Sequence, residues 1–131
     1  MAAAMAAAGG AVAQDFPSKP VQIIVPFTAG GGADVIVRAL AQRLAETWGR
    51  NVVIDNRAGA SGMIGTELAA KAEPDGHTLL LASPAEVAIN QFLYPSMPYD
   101  PERDLVPVTT AAIFRSCVVS PTFLALDRKA K

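Results

Sequence analysis

Three short apolar runs alternate along this chain with two longer stretches in which apolar residues recur at helical spacing. The runs at 21–25, 51–55 and 78–82 are rich in Val, Ile and Leu and do not alternate strictly with polar residues. Such runs are typical of strands that are buried on both faces, and helices between them indicate parallel pairing. The pattern therefore predicts an α/β fold in which helices cover both faces of a parallel sheet.

The two predicted helices follow the first two strands. The first carries an apolar stripe at four-residue spacing, which is expected to face the sheet: Ile36, Leu40, Leu44 and Trp48. Asp34 is its predicted N-cap, and Gly49 is expected to end it. The second helix, with Ser61 as its candidate cap and Pro74 as its end, is marked by Ile64, Leu68 and Ala72.

The last third of the chain is less regular. Residues 87–93 are predicted to form a short third helix, and the proline-rich stretch 94–101 is predicted to be an ordered connector without helix or central strand. Residues 106–119 are apolar and β-branched enough for one or two strands. The charged residues 126–131 have no partner element in the predicted fold.

Three consecutive glycines, at 30–32, stand where the first helix is expected to begin. Without Cβ atoms there, a ligand could approach backbone N–H groups that have no intrahelical partner, and these groups suit a phosphate or a carboxylate. The glycines are equally compatible with a plain turn from strand to helix. In parallel sheets ligands lie beyond the carboxyl ends of the strands, so the loops 26–33, 56–62 and 83–86 are expected to converge there.

Composition narrows the classes of function. A formal net charge of −1 without a cluster of Lys and Arg argues against a nucleic-acid surface. The single cysteine, Cys117, excludes an internal disulfide, and its expected role is that of a small buried hydrophobe. The sequence offers His77 no partner residue for a catalytic base or a ligand site, so His77 is expected to be solvated or structural. Trp48 is expected to lie in the core.

The first 13 residues are small and apolar, and they end in Ala11-Val12-Ala13, the small-x-small form of a signal-peptidase site. The segment lacks a basic region before its apolar part, so it is expected to be the remnant of an incomplete leader. An Ala- and Gly-rich N-terminus without a targeting role is the alternative. No run approaches the ~18 apolar residues of a membrane span.

A series of short motifs occurs in one order along the chain: 16–20, 25–27 with Gly30, Gly31 and Asp34, 56–62 with Gly65, 74–76, and 94–101 with Asp104. In this order the motifs resemble the solute-binding component of tripartite tricarboxylate transporters, also called the Bug receptors. The resemblance extends from about Phe16 to about Phe123.

The resemblance implies a periplasmic binding protein of type II, whose lobes have a mostly parallel sheet flanked by helices. Residues 14–123 would form the first lobe, the second lobe would be missing, and 124–131 would be a divergent tail. Such a receptor captures a small di- or tricarboxylate, or a related organic acid, and delivers it to membrane subunits. No cofactor is implied. A truncated receptor is therefore expected, and a non-functional fragment is the alternative.

The resemblance also implies which residues hold the ligand carboxylate. In the family, the loops after the first and third strands bind it, largely through backbone N–H groups and ordered water. Carried over by motif, the ligand-binding residues are Phe27, Thr28, Ala29, Gly30, Gly31, Gly32, Asp34, Ser83, Pro84, Ala85 and Asn90.

An enzyme is the competing interpretation, as the Rossmann-like dinucleotide-binding domain of an oxidoreductase. The glycines at 30–32 follow a strand, and Asp55 ends the second strand, where an acid that binds ribose would stand. Val35, however, occupies the place of the third fingerprint glycine. The chain also has no Gly-x-Ser-x-Gly motif and no metal-ligand spacing. The prediction is therefore a receptor without catalytic activity.

Overall fold

The computed structural model describes residues 16–113. Its elements, in chain order, are strand β1 (Val21–Val25), helix α1 (Gly32–Trp48), strand β2 (Val52–Asn56), a 3-10 turn (Ala60–Gly62), helix α2 (Met63–Ala70), strand β3 (Thr78–Leu80), a π-helical turn (Ala85–Ile89), helix α3 (Asn90–Leu93) and helix α4 (Pro101–Asp104). The predicted leader, Cys117 and the tail 124–131 lie outside the described residues, as does the stretch 114–119 of the predicted strand region.

The three strands form a parallel sheet in the order β2-β1-β3, so the predicted fold class is confirmed. β1 lies in the middle, where Ile23 is in register with Ile54 of β2 and Leu79 of β3. Right-handed connections in this order place α1 and α2 on opposite faces of the sheet. On the face of α1, Ile23 and Val25 pack against helix residues. Ile24 points to the other face and is also buried.

The predicted stripe of α1 is wrong in part. The buried residues of the helix are Asp34, Val37 and Ala41, whereas Leu40 is exposed. A step of four residues turns a helix by about 400°, so a strict four-residue stripe drifts away from a flat sheet. A spacing that alternates between three and four residues stays on one face. Trp48 is half-buried, with its ring 5.6 Å from that of Phe16.

The predicted stripe of α2 is wrong as well, because Ile64 and Leu68 are exposed and the helix ends before Ala72. Its buried residues are Gly65 and Thr66. A Cβ at Gly65 would lie 2.9 Å from the carbonyl oxygen of Arg57 and 3.0 Å from a backbone atom of Pro26. The helix therefore approaches the loops after β1 and β2 at a distance that only glycine allows.

Neither predicted helix cap is found. α1 begins after Gly31, which is its N-cap, and Asp34 lies in the first turn. α2 begins after Gly62, whose left-handed backbone forms the cap, and Ser61 does not cap the helix. In both places a glycine backbone starts the helix without help from a side chain.

Other boundaries differ by a few residues. β2 begins at Val52 and is an edge strand of the described sheet, with Val53 52% exposed. β3 ends at Leu80, and the helical segment begins at Ala85 instead of 87. Pro101, assigned to the connector, starts α4, where a missing N–H is tolerated. Residues 106–113 form no strand.

His77 is structural, as predicted. It is buried, and its Nε2 atom accepts a hydrogen bond from the Ser18 amide at 3.2 Å. Its Nδ1 atom lies 3.1 Å from the carbonyl oxygen of Asp75. Across residues 16–113, no helix combines the length and the hydropathy that crossing a membrane requires.

The close approach at Gly65 leads to a stability prediction. Replacement Gly65→Ala forces backbone to move and should lower stability by about 1–3 kcal/mol, a typical cost of overpacking. Gly32→Ala is the matched control, since a Cβ there meets nothing within 4 Å, and it should be neutral or stabilising by about 0.4–1 kcal/mol. Thermal and urea unfolding of the three proteins measure the difference. Equal stabilities of the two variants would contradict the packing described here.

Candidate functional site

The loops that follow the three strands meet at one end of the sheet, as predicted, and enclose a cleft of about 390 Å³ that is open to solvent. The chain continues from β1 to one neighbouring strand and then returns to the other, so the cleft lies at a topological switch point. Its lining consists of Pro26, Phe27, Thr28, Ala58, Gly59, Ser61, Gly62, Ser83, Ala85 and Glu86.

The loop after β2 has an unusual backbone. Residues 59–62 all have positive φ, at 132°, 48°, 53° and 82°, although two of them, Ala60 and Ser61, are not glycine. This conformation is costly for such residues and persists only where the surroundings hold it. Asn90 donates from Nδ2 to the Ser61 carbonyl oxygen at 3.0 Å, and the Ser61 hydroxyl lies 2.7 Å from that of Tyr94. These contacts hold the loop against the cleft.

Asp34 ties the first two loops together. Its Oδ2 atom accepts hydrogen bonds from the Gly30 amide at 2.9 Å and from Arg38 Nε at 2.8 Å, and its Oδ1 atom accepts one from Asn56 Nδ2 at 3.0 Å. Asn56 Nδ2 also lies 3.3 Å from the carbonyl oxygen of Phe27. The Arg38 guanidinium, the Gly30 N–H and the Asn56 amide hold the pKa of Asp34 well below its ordinary value of 3.8. Asp34 therefore positions the loops as a carboxylate.

Within the loop after β3, the carboxylate of Glu86 binds back to Ser83. Ser83 donates to Glu86 Oε2 twice, from its backbone amide at 2.7 Å and from its hydroxyl at 2.6 Å. The Ser83 hydroxyl in turn accepts a hydrogen bond from the Ala85 amide at 3.2 Å. Glu86 is buried although it lines the cleft. In the described structure the hydroxyl of Ser83 is therefore bound to Glu86.

The predicted ligand-binding residues fall into two groups. Those that line the cleft are Phe27, Thr28, Ser83 and Ala85. Those that do not line it are Ala29, Gly30, Gly31, Gly32, Asp34, Pro84 and Asn90. Within the second group, Asp34 and Asn90 are buried and hold the loops in place. The part that any of these residues plays in ligand binding stays a prediction.

Sequence reasoning missed six residues of the lining as individual site residues, although it placed their loops at this end: Pro26, Ala58, Gly59, Ser61, Gly62 and Glu86. The loop after β2 could have been found from its glycines, which permit positive φ. Glu86 could have been found as an acidic residue in an otherwise apolar segment, 84–89. The lining contains no Lys, Arg or His among the described residues, so its donors are hydroxyls and backbone amides.

Comparison with known proteins points to one family. The sequence profile of the tripartite tricarboxylate transporter family receptor matches residues 36–125. The chain is 46% identical over 116 residues to BugT of Bordetella pertussis, covering 88% of this chain and 36% of that protein. The chain spans about a third of the length of the curated relatives it matches.

Two solved structures share the fold. One is a protein of R. palustris solved with adipate, 43% identical with a TM-score of 0.64, covering 67% of this chain and 29% of that one. The other is MatC from Rhodopseudomonas palustris with bound malate, 35% identical with a TM-score of 0.64, covering 68% and 30%.

The matched family and structures are transport receptors and not enzymes, which agrees with the prediction. The dinucleotide alternative finds no support in the position of Asp55. Its carboxylate accepts hydrogen bonds from Gln22 Nε2 at 3.0 Å and Arg57 Nε at 2.8 Å. The side chain thus binds to one residue of the central strand β1 and one residue of the loop after β2.

The Asp34 network predicts a pH dependence. A carboxyl group whose pKa is lowered by folding stabilises the protein above its unfolded pKa, here 3.8, and this stabilisation is lost as the pH falls toward the folded pKa. The stability of the native protein should therefore exceed that of the Asp34→Asn variant at pH 6, and the difference should shrink below about pH 4. Glu46→Gln removes an exposed carboxylate from the same helix and controls for the change in net charge. A difference that stays constant from pH 6 to pH 2 would rule out this role.

Proposed function

This chain belongs to the tripartite tricarboxylate transporter receptor family, and from that membership we propose that it is a periplasmic receptor that binds a small organic acid. The observation that carries the proposal is the convergence of three loops on one cleft at the switch point of the sheet. Relatives with the same fold contain adipate and malate, which makes a carboxylate the expected ligand.

The ligand carboxylate would be held by neutral donors. The hydroxyls of Thr28 and Ser61 stand at the cleft, and a hydrogen bond to an ionised acceptor contributes about 1.5–3 kcal/mol. The first intrahelical bond of α1 runs from the Val35 amide to the Gly31 carbonyl oxygen, so the amides before Val35 are available at the helix N-terminus. The Gly30 amide is bound to Asp34, and Gly31 and Gly32 lie outside the lining of the cleft, so the hydroxyls are the better candidates.

We also propose the place of this chain in the receptor. Residues 14–123 would form one lobe, and a second lobe would cover the open side of the cleft and exclude water. The share of each relative that the chain covers, about a third, is compatible with this division. The loaded receptor would deliver its acid to the membrane subunits of a tripartite transporter, and residues 1–13 would act in export to the periplasm.

Ligand-dependent thermal unfolding of the whole chain tests the proposal. Malate, adipate, citrate and NAD are added separately, because a ligand that binds only the native state stabilises it in proportion to RT ln(1 + [L]/Kd). At a concentration 100-fold above Kd, the expected rise in Tm is about 4 °C or more. Ala85→Leu fills the cleft and should abolish the rise, whereas Ala88→Leu, on an exposed residue of the same turn outside the lining, should keep it.

The outcomes separate the three interpretations. A rise with one of the acids that Ala85→Leu removes is the result expected for a receptor. A rise with NAD and with none of the acids would favour a dinucleotide-binding domain. No rise with any compound would favour a fragment without binding activity, and the proposed function would then be withdrawn.

A further inference from the structure

Glu86 combines two properties that a purely structural residue does not need. Its side chain is 1% exposed, yet it belongs to the lining of the cleft. One of its oxygens, Oε2, accepts both hydrogen bonds from Ser83. That oxygen alone therefore fulfils the structural role of closing the loop after β3.

The second oxygen, Oε1, accepts no hydrogen bond from residues 16–113. In that part of the chain, every fully enclosed polar side-chain atom has a partner. Oε1 therefore retains some exposed surface, and Glu86 belongs to the lining of the cleft. Because the residue is only 1% exposed, a ligand that displaces solvent from this oxygen has to supply a donor in its place, or the oxygen is left unpaired at a cost.

The absence of a side chain at Gly62 leaves space for this oxygen. A Cβ on Gly62 would overlap with Glu86 Oε1, and the positive φ of 82° also favours glycine at this position. The loop after β2 and the carboxylate after β3 thus meet at the floor of the cleft. The neighbouring polar groups in the lining, the hydroxyls of Thr28 and Ser61, leave Glu86 as its one charged side chain among the described residues.

We propose that Glu86 Oε1 accepts a hydrogen bond from a hydroxyl or ammonium group that the bound acid carries beside its carboxylate. This inference rests on the proposed function and adds a specificity-determining residue to it. A ligand with only methylene groups at that point would leave Oε1 unpaired, and a second carboxylate there would be repelled. The receptor would therefore select hydroxy acids or amino acids over plain dicarboxylates.

Three acids with one carbon skeleton test this selectivity: succinate, malate and aspartate, which differ only in a hydrogen, a hydroxyl or an ammonium group. Calorimetric titration of the whole chain should show malate, aspartate or both binding about tenfold more tightly than succinate, as one charge-assisted hydrogen bond predicts. The comparison of malate with aspartate tells which donor is preferred. It needs no variant, so it does not depend on the folding of a mutant.

Glu86→Gln then assigns the effect to this residue. The amide oxygen can still accept both hydrogen bonds from Ser83, while the amide NH₂ replaces Oε1 and presents a donor to the cleft. The preference over succinate should fall by about tenfold, and succinate itself should bind at least as well as before. Glu46→Gln, on the exposed face of α1, should leave all three affinities unchanged.

The outcomes are distinct for the two proposals. Equal or tighter binding of succinate by the native protein would overturn the role of Glu86 while leaving carboxylate binding intact. An unchanged preference in a folded Glu86→Gln variant would do the same. Absence of binding for these acids and for adipate and citrate would overturn both proposals together.

Discussion

The parallel pairing of β1 with a strand on each side is the constraint on which the rest of the structure depends. It brings the carboxyl ends of all three strands to one end of the sheet. The loops that follow the strands therefore begin side by side at that end. α2 can lie against two of these loops only because Gly65 lacks a side chain. The shape of the cleft is therefore a consequence of the sheet and of one close helix contact.

Two carboxylates organise the loops around the cleft, and the lining contains no cationic side chain among the described residues. Asp34 joins the loops after β1 and β2, and Glu86 closes the loop after β3. An acidic ligand would thus meet neutral donors and one carboxylate oxygen, an arrangement that binds weakly by charge and discriminates strongly by hydrogen-bond pattern. For a transport receptor, which must also release its ligand, affinity from many neutral donors is a reasonable solution.

The parts of the fold that could be predicted are those that leave a local pattern in the sequence. The strands, the parallel sheet and the convergence of the loops were predictable, because long apolar runs and glycine-rich turns are strong local signals. The buried face of α2 was not, since Gly65 and Thr66 are small or polar and give no apolar period. Leu40 was misplaced because a four-residue spacing drifts around the helix. Glu86 was missed as a site residue because its burial depends on Ser83 and Gly62, contacts that only the fold creates.

The central claim is that the three loops together bind a small acid, and residue-resolved NMR titration of the whole chain with malate tests it most directly. We expect the amide signals that shift to belong to the loops after β1, β2 and β3, around residues 27–32, 58–62 and 83–86. Shifts with the same saturation at all three loops would establish one common site. Shifts confined to another surface, such as the groove between α1 and β2, would contradict the account.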